Sequence, residues 1–131
     1  MRLDKVLFDS VTAEAGQSPR LRMSRDMRNT PDDNSQRMLN AIEPGTVLPV
    51  HRHCKSSETC IVLRGSAMEI FYDDDGNETE RVMMRSASEC CGVNIESGRW
   101  HKIVSLEPGT VIFEAKDGAY EPLSQNDILN V

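Results

Sequence analysis

From Gln36 onward, short apolar runs alternate with turn signals and no segment of helical length separates them. MLNAI ends at Glu43-Pro44-Gly45-Thr46, TCIVLRG ends at Gly65, and AMEIFY ends at Asp73-Asp74-Asp75-Gly76-Asn77. The Asp-Gly pair in the last of these favours a tight hairpin, because both residues tolerate a positive φ. RVMMR, CGVNI, HKIVSL and TVIFEAK follow. Several short strands at regular spacing predict an all-β sandwich or barrel over residues 36–131, and the lack of intervening helices argues against βαβ units. One stretch is echoed. Ile42-Glu43-Pro44-Gly45-Thr46-Val47-Leu48 returns as Leu106-Glu107-Pro108-Gly109-Thr110-Val111-Ile112. Proline and glycine suit the two central positions of a type II turn, so one strand–turn–strand unit occurs twice.

Residues 1–35 have another texture. Leu3, Val6, Leu7, Val11 and Ala15 recur at helical intervals and predict a short amphipathic helix, with Gly16 and Pro19 as stop signals. Residues 20–35 are polar and arginine-rich and carry the turn signal Pro31-Asp32-Asp33-Asn34. They read as an arm packed on the barrel of one domain. Sheet edges need pairing or cover, so the arm or an outer sheet is expected to mediate a homodimer.

Charge narrows the partners. The net charge is −6, and the one basic cluster, Arg20, Arg22, Arg25 and Arg28, has Asp26, Asp32 and Asp33 beside it. This is not the basic stripe of a nucleic-acid binder, but it leaves room for a small anionic ligand. Charges interrupt the apolar residues of the N-terminus, and no run of about 18 apolar residues occurs, so neither a signal peptide nor a membrane span is expected. A cytoplasmic location and free thiols at Cys54, Cys60, Cys90 and Cys91 are the corresponding expectations.

Two of only 3 histidines fall in His51-Arg52-His53-Cys54-Lys55-Ser56-Ser57-Glu58. Side chains at i and i+2 of a strand share a face, so His51 and His53 are expected side by side with Arg52 opposite. Glu58 begins the next apolar run, and the third histidine, His101, heads another. Three imidazoles and a carboxylate suit a divalent transition metal such as Zn, Fe, Mn or Ni.

The spacing of these residues carries a family resemblance. Gly45, five residues, His51, one residue, His53, four residues, Glu58, six residues and Gly65 match in full the first motif of the cupins. Glu96-Ser97-Gly98-Arg99-Trp100-His101 resembles the second, with Glu96 in place of a proline and Ser105 where an asparagine often stands. The resemblance implies a double-stranded β-helix, or jelly-roll barrel, with His51, His53, Glu58 and His101 as metal ligands. A further likeness covers most of the chain. Ser18-Pro19-Arg20-Leu21-Arg22, Gln36-Arg37-Met38-Leu39-Asn40-Ala41, Trp100-His101 and Glu114-x-Lys116-x-Gly118-x-Tyr120 resemble the WbuC-type cupin metalloproteins, some of them encoded in surface-polysaccharide clusters. That family often has histidines where this chain has Ser24 and Arg28, and a proline where it has Ala119.

Arg20, Arg22, Gln36, Asn40, Trp100, Glu114, Lys116 and Tyr120 are candidate contacts for a small-molecule ligand, the last three by resemblance only. The arginines suit a carboxylate or phosphate. The plainer alternatives are a solvated arm for Arg20 and Arg22, and a surface ion pair for Glu114 with Lys116. Two functions follow. One is a metal-dependent enzyme on a small polar, carbohydrate-like metabolite, with isomerase, lyase and oxygenase chemistry all compatible with the fold. The other is a non-catalytic sugar-binding or sensor module.

Overall fold

A computed structural model describes residues 1–131. Asp4 caps helix α1 (Lys5–Gln17), its carboxylate accepting the Leu7 amide at 3.0 Å. Gly16 lies within the last turn of α1, and the chain leaves the helix at Ser18. The apolar stripe of α1 buries Val11 and Ala15 completely, against Leu39, Ala41 and Val111. No helix is long and apolar enough to cross a membrane.

Ten strands follow: β1 (Arg22–Asp26), β2 (Ser35–Ile42), β3 (Val50–His51), β4 (Glu58–Arg64), β5 (Ser66–Tyr72), β6 (Glu78–Arg85), β7 (Gly92–Ile95), β8 (Trp100–Ser105), β9 (Val111–Asp117) and β10 (Ile128–Leu129). They form two antiparallel five-stranded sheets, ordered β1-β2-β9-β4-β7 and β10-β3-β8-β5-β6. This is the expected all-β jelly roll. The seven apolar runs named above supply β2 and β4 to β9. Residues 22–26, read from the sequence as part of the arm, instead form β1 at an edge of the first sheet.

The alternation along each strand sorts side chains onto two faces. Leu39, Ala41 and Val111 point outward under α1. Ile42, Cys60, Val62, Ala67, Met84, Ile103 and Ile112 form an apolar core that closes one end of the barrel. The same inward faces carry polar residues further along. Gln36 pairs with Lys116, and Lys116 with Glu58, so these three stand in one row across the first sheet. Met38, Glu114 and Cys60 make the next row.

The echoed turns touch one another. Gly45 and Gly109 have φ of +94° and +78°, which a side chain would disfavour. The Gly109 amide donates to the Glu43 carboxylate at 2.8 Å, and the Ile42 amide donates to the Thr110 carbonyl at 3.1 Å. The repeated unit thus places two matching corners of the barrel in contact.

Candidate metal centre

Strand pairing brings the histidines together. His51 is the last residue of β3 and lies directly opposite His101 of β8, with their rings 4.3 Å apart between centroids. His53 lies beyond the two-residue β3, so it does not share a strand with His51 as the sequence had suggested. A turn holds it instead. The Gly98 amide donates to the His53 carbonyl at 2.8 Å, and the Ser97 hydroxyl donates to the Cys54 carbonyl at 2.7 Å. Gly98, with φ +82°, therefore keeps the geometry that the second motif needs despite Glu96 at the proline position. Glu58 opens β4 and reaches across from the other sheet.

The two facing rings are oriented alike. Nδ1 of His51 bonds the Pro49 carbonyl at 3.1 Å, and Nδ1 of His101 bonds the Arg99 carbonyl at 2.8 Å. Each ring is thereby fixed with Nε2 turned toward the centre, as outer-shell carbonyls do for metal-bound histidines. Nε2 of His101 stands 2.9 Å from Glu58 Oε1, and Nε2 of His53 stands 3.5 Å from Oε2. One ligand atom from each of the four residues lies within 4.8 Å of all the others. The four side chains are thus gathered closely enough that one ion could be shared among them.

The electrostatics agree with a cation at the centre. Burial and the neighbouring His101 charge push His51 down to about 4, so it is a neutral donor at ordinary pH. Burial likewise lowers His53. At His101 burial opposes protonation, yet the hydrogen bond and charge of Glu58 outweigh it and hold the imidazole above its ordinary value. Burial works against ionising Glu58, but the bond to His101 brings it below the usual carboxylate range. His101 bonded to a carbonyl on one nitrogen and a carboxylate on the other uses two protons. A metal ion satisfies the same Nε2 and carboxylate without the second proton, so the residues fit a divalent ion.

These four line a cavity of about 470 Å³ inside the barrel. Seven of the eight candidate ligand contacts line it too: Arg20, Arg22, Gln36, Asn40, Glu114, Lys116 and Tyr120. Trp100 does not. It precedes His101 on β8 and faces outward, with Nε1 bonded to Asp74 at 2.9 Å and the Arg52 guanidinium 4.3 Å above its ring. The sequence reading passed over Glu69, which is 1% exposed and lines the cavity from β5. Its signal was parity: Glu69 alternates with Ala67 and Phe71 on the inward face of an otherwise apolar run. Burial raises the Glu69 carboxyl to about 8 and the Glu114 carboxyl to about 7.

Comparison with known proteins agrees with this architecture. The chain is similar to capsular polysaccharide assembling protein CapF from Staphylococcus aureus, with 23% identity and a TM-score of 0.63 over 76% of this chain and 29% of that one. KdgF from Halomonas sp. shares 16% identity and a TM-score of 0.62 over 79% of this chain and 84% of its own. A variant of oxalate decarboxylase OxdC from Bacillus subtilis shares 22% identity and a TM-score of 0.57 over 74% and 25% of the respective chains. The chain thus spans less than a third of CapF and of OxdC, and what it shares with all three is the cupin fold. No curated protein matches it. The sequence model of a domain of unknown function, DUF6016, matches residues 3–84. That match covers more than half of the 131 residues, and the chain belongs to the DUF6016 family, on a cupin fold.

Proposed function

We propose that this chain is a small cupin metalloprotein of the WbuC type that holds one divalent transition ion through His51, His53, Glu58 and His101 and acts on a small polar, carbohydrate-like metabolite. The observation that carries the reading is the convergence of these donors, within 4.8 Å of one another, on the wall of a cavity of small-molecule size. An ion held there supplies Lewis acidity and a place for substrate oxygens. The chain's own residues supply proton chemistry. In the ion-free chain burial raises the Glu69 and Glu114 carboxyls to about 8 and about 7, and both line the same cavity, which makes them the candidate proton carriers of an enzyme. A link to surface-polysaccharide metabolism is part of the proposal, supported by the quoted sequence likeness and by the fold shared with CapF.

A ligand-observed NMR screen of sugars and sugar acids, with ion-loaded and chelator-treated protein, tests the reading. Binding that depends on the ion, followed by new product resonances, is the expected result. Binding without product makes the chain a sensor or carrier, and no ion-dependent binding by any compound contradicts the proposal. A homodimer is also proposed. Each sheet has an unpaired edge, at β1 and at β6, and Met83 on β6 is 50% exposed. Light scattering that gives a monomer at micromolar concentration would count against it.

A further inference from the structure

The cavity contains charges and acceptors with nothing in the protein to satisfy them. Lys116 is 9% exposed and stands in the row between Gln36 and Glu58, yet its ammonium forms no hydrogen bond or ion pair. Arg22 enters the same cavity from β1 and also has no carboxylate within ion-pair distance. Burial and the neighbouring Arg20 charge lower its affinity for its proton, as befits an uncompensated cation. Among other arginines, Arg25, Arg28, Arg37, Arg52 and Arg64 all have acidic partners. Two buried acceptors are orphaned as well. Gln36 Oε1 and Glu69 Oε1 are shut off from solvent without a donor, and their residues are 6% and 1% exposed. An unsatisfied buried acceptor destabilises the protein, and a buried unpaired ammonium does so more strongly. Such groups in a polar cavity mark the complement of its ligand.

We infer that the ligand is a small polyhydroxylated anion, its carboxylate or phosphate held by Lys116 and Arg22 and its hydroxyls donating to Gln36 Oε1 and Glu69 Oε1. The acidic groups of the cavity do not point to a cationic ligand instead. Glu58 is already engaged by His101 and His53. Glu69 and Glu114, both raised by burial, are satisfied by hydroxyl donors, and Glu121 is exposed to solvent, whereas only an anion satisfies both Lys116 and Arg22. The inference deepens the proposed function by naming its substrate class, and it rests on that reading only for the identity of the site.

Calorimetric titration of ion-loaded protein with gluconate, glycerol phosphate, glucose, acetate and glucosamine tests it. Gluconate, glycerol phosphate or both bind about tenfold or more tighter than glucose, acetate and glucosamine. Gluconate alone assigns a carboxylate, and glycerol phosphate alone assigns a phosphate ester. Lys116→Met and Arg22→Met are each compared with wild type after circular dichroism has shown them folded. If Lys116→Met does not fold, Arg22→Met carries the test. Loss of the preference for the anion in a folded variant is the expected result. The inference is overturned if neither anion binds, if glucose, acetate or glucosamine binds as tightly, or if every folded variant keeps the preference. Elemental analysis of the same samples separates this from the metal reading. Anion binding that needs Lys116 in a protein that takes up no ion contradicts the metal centre alone. A full complement of ion without anion preference contradicts the present inference alone.

Discussion

At His101 a single imidazole joins the backbone of Arg99 to the carboxylate of Glu58, at 2.8 Å and 2.9 Å. Because Glu58 raises its proton affinity, His101 is the first ligand to take up a proton on acidification, while His51 does so only near about 4. Protons compete with the ion, so affinity falls as pH falls. The expected titration loses about one proton's worth of affinity, roughly tenfold per pH unit, once His101 begins to protonate, and steepens as the lowered His53 and His51 follow. Competition with a metal-indicator dye across pH measures this, and an affinity that does not change with pH contradicts it. Glu69 gives the second test at this scale. Its folded value, about 8, lies above the reference of 4.5, so the folded state binds its proton more tightly. Its contribution to stability is present below the unfolded value and is lost as pH rises through the folded one. In chelator-treated protein, stability therefore falls across that window, by at most about 1.4 kcal/mol per pH unit from this group. Urea unfolding of Glu69→Gln near either end of the window shows a smaller fall than wild type. An equal fall would mean that Glu69 does not stay protonated on folding.

Among the strands, the junction of β4 and β5 tolerates little change. Gly65 has φ +82°, and a methyl group there would run into Thr110 Oγ1 and come within 2.9 Å of Thr110 Cα. That hydroxyl is itself held by the Ser66 and Glu107 carbonyls. Gly65→Ala is expected to cost roughly 2–4 kcal/mol, from backbone strain and overpacking together, read as a lower urea midpoint. A change within a few tenths of a kcal/mol would contradict the packing described for this corner. The strands legible in the sequence were those with one apolar face and a Gly, Pro or Asp-Gly stop. β3 and β10 escaped because two residues carry no periodicity. β1 escaped because Arg22-Met23-Ser24-Arg25-Asp26 sets one apolar residue, Met23, and the Glu14-paired Arg25 against the helix and turns Arg22 and Ser24 into a polar cavity. An apolar alternation is absent where the inward face lines a polar cavity. The same cause hid Glu69, an acid in an apolar run whose neighbours announce only a buried strand. The four clustered donors were legible because their spacing follows a motif along the chain. Trp100 was a candidate ligand contact because it adjoins His101, but adjacent strand residues face opposite ways.

Across the whole molecule, the four donors come from three separated segments and from both sheets. An ion shared among them ties the sheets together at the end of the barrel opposite the apolar core. Binding only to the folded chain stabilises it by about 3 kcal/mol when the ion is present at roughly a hundred times its dissociation constant. Chelator is expected to lower the melting temperature and added ion to restore it. Lys102 serves as the internal control, since it follows His101 on β8 and points to the outer face. The most direct test of the account is therefore elemental analysis, paired with thermal melting, of wild-type, His101→Ala and Lys102→Ala protein purified without chelator or a histidine tag. The account predicts one equivalent of a divalent transition ion in wild type and Lys102→Ala, and in His101→Ala a loss of both the ion and the melting-temperature increment that the ion confers. A full complement of ion and an unchanged melting temperature in His101→Ala would contradict it.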